Sequence, residues 1–195
     1  MHSYHHGNVR GEAIEAALRL ISQSGLTRLS LRDVAGEIGV SHAALYRYFA
    51  DKEALLASIA QEGFEGLISA INEAGKKNGD LKKRLFESGR AYVEFAVRNP
   101  DRFRLMFSDA IRNRSDYPDL DSASRRSFQQ LVGIIDECFE SGLTLRHKNR
   151  HVNVLAAWSM LHGLSFLLIE KQFTDEKRKD HIRFLTERFL ELLLP

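Results

Sequence analysis

Hydrophobic residues recur at helical spacing along almost the whole chain. Positions i, i+3, i+4 and i+7 are apolar from Ile14 to Ile21 and again from Leu31 to Ile38. Gly25 and Gly39 follow these two stretches, where glycine commonly ends a helix. The same spacing predicts further helices over about 41–49, 52–75, 85–99, 101–111, 121–141, 150–171 and 175–193, with a loop over 112–118. No alternating strand pattern competes, so the sequence predicts an all-α fold.

Helix size divides the predicted fold into two domains. The helices before Phe49 are short, whereas those from Lys52 onwards are longer. We therefore expect a small N-terminal domain over residues 1–51 and a larger helical domain over residues 52–195. The long helix that starts at Lys52 would bridge them.

The longest uncharged stretch, Val154–Ile169, predicts a helix that is covered on two sides. It is shorter than the ~18–20 apolar residues that a membrane span requires, so we expect no membrane partner. Because it is apolar around nearly its whole circumference, one neighbouring surface cannot cover it. The last predicted helix adds an apolar stripe from Ile182 to Leu193. Two such helices per chain predict a four-helix interface across a two-fold axis, and therefore a homodimer.

The composition is that of an ordinary soluble globular protein. Of the 195 residues, 44% are hydrophobic and 28% are charged, and the net charge is +2. Residues 1–55 contain as many acidic as basic side chains, so any positive surface there must come from their placement. Cys138 is the only cysteine, which excludes an intramolecular disulfide and is typical of a reducing compartment. The polar N-terminus does not resemble a signal peptide, so we expect a cytoplasmic protein.

The segment from Leu31 to Phe49 has the pattern of two short helices that cross and share a small core. Gly39 lies where the chain must reverse, because only glycine adopts left-handed backbone angles at little cost. Ser41 follows in the position of an N-cap for the second helix. The predicted core residues are Val34, Ala35, Ile38, Val40 and Leu45. This is the arrangement of a helix-turn-helix, whose second helix presents side chains to DNA base edges.

The predicted outer face of the second helix favours DNA binding. Hydrogen-bond donors and stacking groups lie there beside two alanines: His42, Ala43, Ala44, Tyr46, Arg47 and Tyr48. A face that is only solvated more commonly consists of glutamate and lysine. An ordinary helical hairpin is the alternative interpretation, because glycine between two amphipathic helices is common.

The same segment resembles the tetracycline-repressor (TetR) family of bacterial regulators. The resemblance rests on Leu-Tyr-Arg-Tyr-Phe, which starts at Leu45, and on Lys-Glu-Ala-Leu, which starts at Lys52. This combination is highly specific to the family, and the resemblance covers about residues 9–60. A less specific similarity relates Trp158, His162 and Gly163 to the Trp-His-Gly type of C-terminal domain.

The resemblance implies a homodimer that binds double-stranded DNA at a palindromic operator. Members of the family usually act as repressors that a small-molecule effector releases. Residues 1–51 would then be the helix-turn-helix DNA-binding domain, and residues 52–195 the effector-binding and dimerisation domain. The effector itself is unknown.

The resemblance also implies roles for single residues. His42 and Arg47 would read base edges, with the alanine methyl groups against thymine. The two tyrosines would reach phosphates or flanking thymine methyl groups. Arg32 would contact a phosphate or a base, and Lys52 a phosphate at the start of the long helix, where the helix dipole reinforces binding. The predicted DNA-binding residues are Arg32, Ser41, His42, Ala43, Ala44, Tyr46, Arg47, Tyr48 and Lys52.

Bulky side chains in the middle helices predict a core and, within it, an effector pocket. Ligand pockets are largely apolar with a few polar groups. Trp158 and His162 are four residues apart, so they share a helix face that either packs in the core or dimer, or lines the pocket. A closed core that binds nothing is the alternative. The candidates are Phe64, Phe86, Tyr92, Phe95, Phe103, Met106, Phe107, Phe128, Trp158 and His162.

Other features support weaker hypotheses. The chain lacks Gly-x-Ser-x-Gly, His-Glu-x-x-His, Cys-x-x-Cys and the P-loop motif, so we expect no enzyme, no cofactor and no metal site. An all-helical enzyme with a dispersed site and a helical scaffold that binds only proteins are the two alternatives. His5 and His6 belong either to a basic arm that touches DNA or to a disordered terminus. Cys138 is either a redox sensor or an inert buried residue.

Overall fold

The protein is helical throughout the part that the computed structural model describes, residues 8–76, 80–143, 145–172 and 179–194. Short 3-10 turns occur at Leu26–Arg28 and Arg114–Asp116. These ranges contain nine α-helices and no strand: α1 (Val9–Ser24), α2 (Leu31–Glu37), α3 (His42–Tyr46), α4 (Lys52–Lys76), α5 (Leu81–Arg98), α6 (Pro100–Met106), α7 (Pro118–Glu140), α8 (Arg150–Ile169) and α9 (Lys179–Glu191). The prediction of an all-α fold is confirmed.

Glycine and proline set several of the helix boundaries. Gly25 and Gly39 follow α1 and α2 with φ angles of +82° and +71°, in the left-handed region that glycine tolerates. Pro100 and Pro118 are the first residues of α6 and α7. Proline is favoured there because the first N–H groups of a helix have no acceptor within it. The prediction was therefore wrong for residue 118, which begins a helix instead of ending a loop.

The helices form two compact units. The first contains Met1–Gly63 and Asp101–Asp121, and the second contains Phe64–Pro100 and Ser122–Pro195. In the first unit α1 packs against α2 and α3, and in the second unit α5, α8 and α9 pack against one another. The predicted boundary at residue 51 divides functions rather than compact units, and it stays a prediction.

Close helix contacts in each unit depend on glycine. A β-carbon at Gly63 of α4 would lie 2.6 Å from the Met106 sulfur of α6, in the first unit. A β-carbon at Gly89 of α5 would lie 2.6 Å from a methyl group of Leu190 in α9, in the second unit. Both distances are too short for a real carbon, so a side chain at either position would require the Met106 or the Leu190 side chain to move.

Helix α8 is buried on one side only within the single chain. Val154, Leu161 and Leu164 are buried, whereas Leu155 and Leu167 on the opposite side are 41% and 36% exposed. By length and composition α4 and α8 could cross a membrane, but the core helices of soluble proteins meet the same criterion. The apolar side of α8 is therefore available to another surface.

Candidate nucleic-acid interface

Helix α2 is capped at its start and buries one face. The Ser30 hydroxyl accepts a hydrogen bond from the Asp33 N–H at 3.2 Å, which satisfies one of the free donors of the first turn. Leu31, Val34 and Ala35 are buried. The Val40 N–H donates to the Ala35 carbonyl at 3.0 Å as the chain reverses after this helix.

Helix α3 is a short helix that its cap and one buried side chain hold in place. The Ser41 hydroxyl accepts from the Ala44 N–H at 3.1 Å, as predicted for an N-cap. The helix contains only five residues, fewer than the predicted span of 41–49. Leu45 is fully buried and Phe49 is 1% exposed, so the C-terminal part of this segment is attached to the core. The outward face of α3 is consequently held in one orientation.

This outward face is the one that the sequence predicts. Tyr46 and Tyr48 are both 47% exposed, which is unusual for large aromatic side chains, and Arg47 is exposed between them. The rings of His42 and Tyr46 meet edge to face with centroids 4.6 Å apart. This contact restricts both side chains before any partner binds. Of the other residues predicted for this surface, Arg32, Ser41 and Ala43 are exposed and Ala44 is half-buried.

Lys52 makes a contact that the sequence did not reveal. Its ammonium donates to the carbonyl oxygens of Leu26 at 2.8 Å and Thr27 at 3.3 Å. The bond ties the start of α4 to the 3-10 turn Leu26–Arg28 without neutralising the charge. Arg28 is exposed on that turn and becomes a further candidate for phosphate contact. A three-residue turn has no periodicity, so the sequence pattern could not identify it. The phosphate contact of Lys52 stays a prediction.

Placement explains how a segment with balanced charges can have a basic surface. Glu15, Glu37 and Glu62 pair with arginines in the same unit at N–O distances of 2.8, 3.3 and 2.7 Å. The Asp33 carboxylate accepts from the Ser30 hydroxyl at the start of α2, and the Asp51 carboxylate accepts from the Ala54 N–H in the first turn of α4. Among the described residues no ion pair involves three exposed cations: Arg28, Arg32 and Arg47.

The ten predicted effector-pocket residues are divided between the two compact units. Phe103, Met106 and Phe107 belong to the first unit, where the rings of Phe103 and Phe107 have centroids 5.0 Å apart. The other residues belong to the second unit. Phe64, Tyr92, Phe103 and Met106 are buried, and the remainder are half-buried or, in the case of Phe128, 36% exposed. Their binding of an effector stays a prediction.

An aromatic cluster joins α5, α7 and α8 in the second unit. The Tyr92 hydroxyl lies 2.9 Å from Nδ1 of His162, and the Trp158 ring contacts Phe128 and His162 at centroid distances of 5.4 and 5.9 Å. Burial raises the pKa of Tyr92 strongly, and a hydrogen bond with Trp158 offsets part of this shift. Burial also lowers the pKa of His162, which favours the neutral imidazole. Phe166, whose ring meets His162 edge to face with centroids 5.0 Å apart, is a member of the cluster that the sequence pattern did not predict.

Three weaker hypotheses have different outcomes. Cys138 is buried, and burial raises the pKa of its thiol, which disfavours the reactive thiolate. His5 and His6 lie outside the described residues. No group of three or more His, Cys, Asp or Glu side chains suitable for a metal ion occurs within residues 8–76, 80–143, 145–172 and 179–194.

Comparison with known proteins identifies two family domains along the chain. Residues 13–59 match the model of bacterial regulatory proteins of the TetR family. Residues 85–191 match the model of a tetracycline-repressor-like C-terminal domain. The second match includes Trp158 and His162, although it does not specify a Trp-His-Gly subtype, which stays a prediction.

Similar sequences include nucleoid occlusion factors. The factor SlmA of Aliivibrio fischeri strain MJ11 is 30% identical over 105 residues, which are 53% of this chain and 54% of the factor. SlmA of Vibrio vulnificus strain YJ016 is 31% identical over 105 residues, with the same coverage. The chain thus spans about half the length of the curated relatives that it matches.

Solved structures with the same fold cover between 94% and 100% of the chain. A protein of unknown function from Rhodococcus sp. RHA1 matches with a TM-score of 0.80 and 27% identity over 100% of both chains. The TetR family regulator PfmR of Thermus thermophilus matches with a TM-score of 0.74 and 24% identity over 94% and 99% of the two chains. The regulator FadR of Bacillus subtilis, solved with stearoyl-CoA, has a TM-score of 0.74 and 18% identity over 94% and 97%. With a helix-turn-helix that presents a polar face and both family domains in order, the chain belongs to the TetR family of DNA-binding transcriptional regulators.

Proposed function

We propose that this regulator is a homodimeric repressor that binds a palindromic operator and leaves it when a small molecule binds. The exposed face of α3 supports this proposal most directly. A five-residue helix is held by a cap and by buried Leu45, and the turn directly after it presents Arg47 between exposed Tyr46 and Tyr48. Side chains on such a face satisfy their hydrogen bonds at base edges and phosphates.

The roles of the interface residues follow from their chemistry and position. Arg47 and His42 read base edges, since both can donate to purine acceptors in the major groove. Tyr46 and Tyr48 contact phosphates or thymine methyl groups, and Arg32 contacts a phosphate or a base. Lys52 contributes its charge at the phosphate backbone next to the turn that it anchors. Ser41, Ala43 and Ala44 allow α3 to approach the groove closely, because their side chains are small.

Dimerisation is proposed through the apolar sides of α8 and α9. Leu155 and Leu167 of α8, with Phe184 of α9 and Leu192 directly after it, are 36% to 56% exposed in the single chain. Exposed apolar patches of this kind commonly mark interfaces. A two-fold axis through a bundle of α8 and α9 would pair two copies of α3 with successive major grooves.

An effector would act by binding the operator-bound and the operator-free states of the regulator with different affinities. FadR of Bacillus subtilis shares the fold and was solved with stearoyl-CoA, which shows that this fold can hold a small molecule. Helix α4 is continuous from Lys52, beside the DNA-binding elements, to Lys76 in the second unit. A displacement of this helix would couple effector and operator binding reciprocally, typically by about 1–3 kcal/mol. As a regulator, the protein is proposed to be cytoplasmic and to catalyse no reaction.

Selection of bound fragments from random DNA, using the full chain, tests the proposal. Enrichment of a motif with two-fold symmetry is the expected result, with half-sites about one helical turn apart. Enrichment of asymmetric motifs, or of none, would contradict it.

Lys52→Ala provides a second test on the selected operator. The variant should weaken binding to all sequences alike and reduce the slope of log K against log salt by about one unit. A change in sequence preference with an unaltered salt slope would show that Lys52 does not contact phosphate.

A further inference from the structure

A polar cavity lies in the second unit, between the end of α4, the start of α5 and the end of α7. Its volume is about 410 Å³, within the range of about 300–1,000 Å³ that is typical of small-molecule sites. None of the ten residues predicted for the effector pocket lines it. Its walls instead contain six polar or charged side chains: Asn72, Lys76, Arg84, Ser88, Gln130 and Glu137.

Two buried polar atoms at this cavity have no hydrogen-bond partner among the described residues. They are Oγ of Ser88, whose residue is 5% exposed, and Oε1 of Gln130. The Gln130 amide is oriented by its Nε2 group, which donates to Asn72 Oδ1 at 2.7 Å and to the Ile68 carbonyl at 3.3 Å. The other atom of this amide, the acceptor Oε1, therefore has no hydrogen-bond donor. Buried polar groups without partners are rare because they have lost their bonds to water, and such a pair at one cavity indicates a ligand.

The cavity has different polarity on its two walls. The α7 wall presents acceptors, because Gln130 and the carboxylate of Glu137 lie two turns apart on one face of that helix. The α5 wall presents donors, because the Arg84 guanidinium and the Ser88 hydroxyl lie one turn apart. Arg84 and Glu137 form an ion pair across the two walls. A guanidinium has five N–H donors, so this pair does not use all of them.

We propose that this cavity binds a small molecule with both an ammonium group and a carboxylate, which means an amino acid or a short peptide. The ammonium donates to Gln130 Oε1 and Glu137, and the carboxylate accepts from Ser88 and Arg84. Lys76 adds a second cation to the lining, so its net charge is complementary to the carboxylate. A fatty acyl chain would leave Ser88 Oγ and Gln130 Oε1 without a hydrogen-bond partner. The assignment as an effector site rests on the proposed repressor function, whereas binding itself does not.

The variant Ser88→Ala tests whether the Ser88 hydroxyl is free to bind a ligand or already stabilises the fold. Removing an unpartnered buried hydroxyl should raise the melting temperature of the ligand-free protein. The hydroxyl loses its hydrogen bonds to water on folding and gains none in return, so its removal abolishes that desolvation cost. Ser165→Ala is the matched control. Ser165 is also buried, but its hydroxyl donates to the Leu161 carbonyl at 2.7 Å, so its removal should lower the melting temperature. A lower melting temperature for both variants would overturn the assignment of an unpartnered Ser88.

Ligand binding is measured by thermal shift and calorimetry on the full chain. The probes are the twenty amino acids and a set of dipeptides, with glucose and stearate as compounds that lack the ammonium–carboxylate pair. At least one amino acid or dipeptide should raise the melting temperature of the wild type and of Ser165→Ala. That ligand should bind at least tenfold more weakly to Ser88→Ala and to Gln130→Leu.

Three outcomes would overturn the proposed site. They are no response of the wild type to any amino acid or dipeptide, a response that persists unchanged in Ser88→Ala, and a response to glucose or stearate that Ser88→Ala abolishes. Operator binding is measured on the same preparations by gel shift. A protein that binds operator but none of the probes contradicts only the site. A protein that binds a probe through Ser88 but selects no operator contradicts only the repressor function.

Discussion

The outward faces of α3 and α8 differ in every property that decides which partner a surface can bind. The outward face of α3 lies on a five-residue helix that presents His42 and Tyr46, and Arg47 and Tyr48 extend this face directly after the helix. The uncovered face of α8 lies on a twenty-residue helix and presents leucines such as Leu155 and Leu167. The first face can satisfy hydrogen bonds with a polyanion, and the second can only gain by excluding water.

The two faces are also held in place in different ways. Helix α3 is too short to be stable alone, so its orientation depends on the Ser41 cap, the Gly39 turn and buried Leu45. Helix α8 is long and is held by apolar packing along its whole buried side. A mutation on the outward face of either helix should therefore change its partner binding more than the fold, whereas a mutation at the turn before α3 should change the fold itself.

The largest effect is expected from a charge on the uncovered face of α8. Leu155→Glu should weaken dimerisation by about 3–5 kcal/mol, because each copy would bury a charge without a partner. The monomer fold should stay intact, since Leu155 is 41% exposed in the single chain. Light scattering and circular dichroism measure the two properties, and Ser22→Glu on the exposed side of α1 is the control. A dimer of unchanged strength would place the interface elsewhere.

A smaller effect is expected on the outward face of α3. Arg47→Ala should reduce operator affinity by about 1–3 kcal/mol and relax the preference at one base pair in each half-site. Titration against operators that vary at single positions measures both changes. If affinity fell equally for every base, Arg47 would be a phosphate contact, and its role would match that proposed for Lys52.

Two glycines around the turn before α3 should respond with opposite signs. Gly39 has a φ of +71°, so Gly39→Ala should destabilise the protein by about 1–2 kcal/mol through backbone strain alone. Gly36 is helical, and a β-carbon added there would have no atom within 4 Å, so Gly36→Ala should stabilise the protein by about 0.5–1 kcal/mol. Urea unfolding without DNA measures both values. Equal signs would show that the turn does not require its left-handed conformation.

The smallest effect is expected from His162 beside the uncovered face of α8. Burial lowers the pKa of this imidazole in the folded state, so below pH ~6.5 the unfolded chain binds a proton more readily. Wild-type stability should thus fall as the pH drops from about 6.5 towards the lowered folded pKa, and His162→Gln should lack this component. Tyr92→Phe removes the hydrogen-bonding hydroxyl but keeps the imidazole, so it should retain the pH dependence. Parallel pH profiles for wild type and His162→Gln would disprove this assignment.

Local signals were sufficient to predict the helices and the outline of the recognition face. Periodicity placed α1, α2 and α4 within a few residues, because an amphipathic helix must repeat its apolar positions to bury them. Gly39 and Ser41 predicted the turn and the cap, since both act through their own backbone neighbours. Pro118 was misinterpreted, because proline ends one helix or starts the next, and periodicity does not distinguish these cases.

Contacts between distant residues required the tertiary structure. The Lys52 ammonium bonds to carbonyls 25 and 26 positions earlier, and Tyr92 meets His162 across 70 positions. Neither pair leaves a periodic signal, because side chains from different helices share no spacing rule.

The all-α fold, the family motif and the exposed surface around α3 could therefore be predicted from the sequence alone, because each depends on neighbours within a few turns. The polar cavity around Ser88 and Gln130 was decided only by the tertiary structure. Whether a buried hydroxyl or amide oxygen finds a partner depends on which helices meet and at what distance, and that is a property of the packed chain.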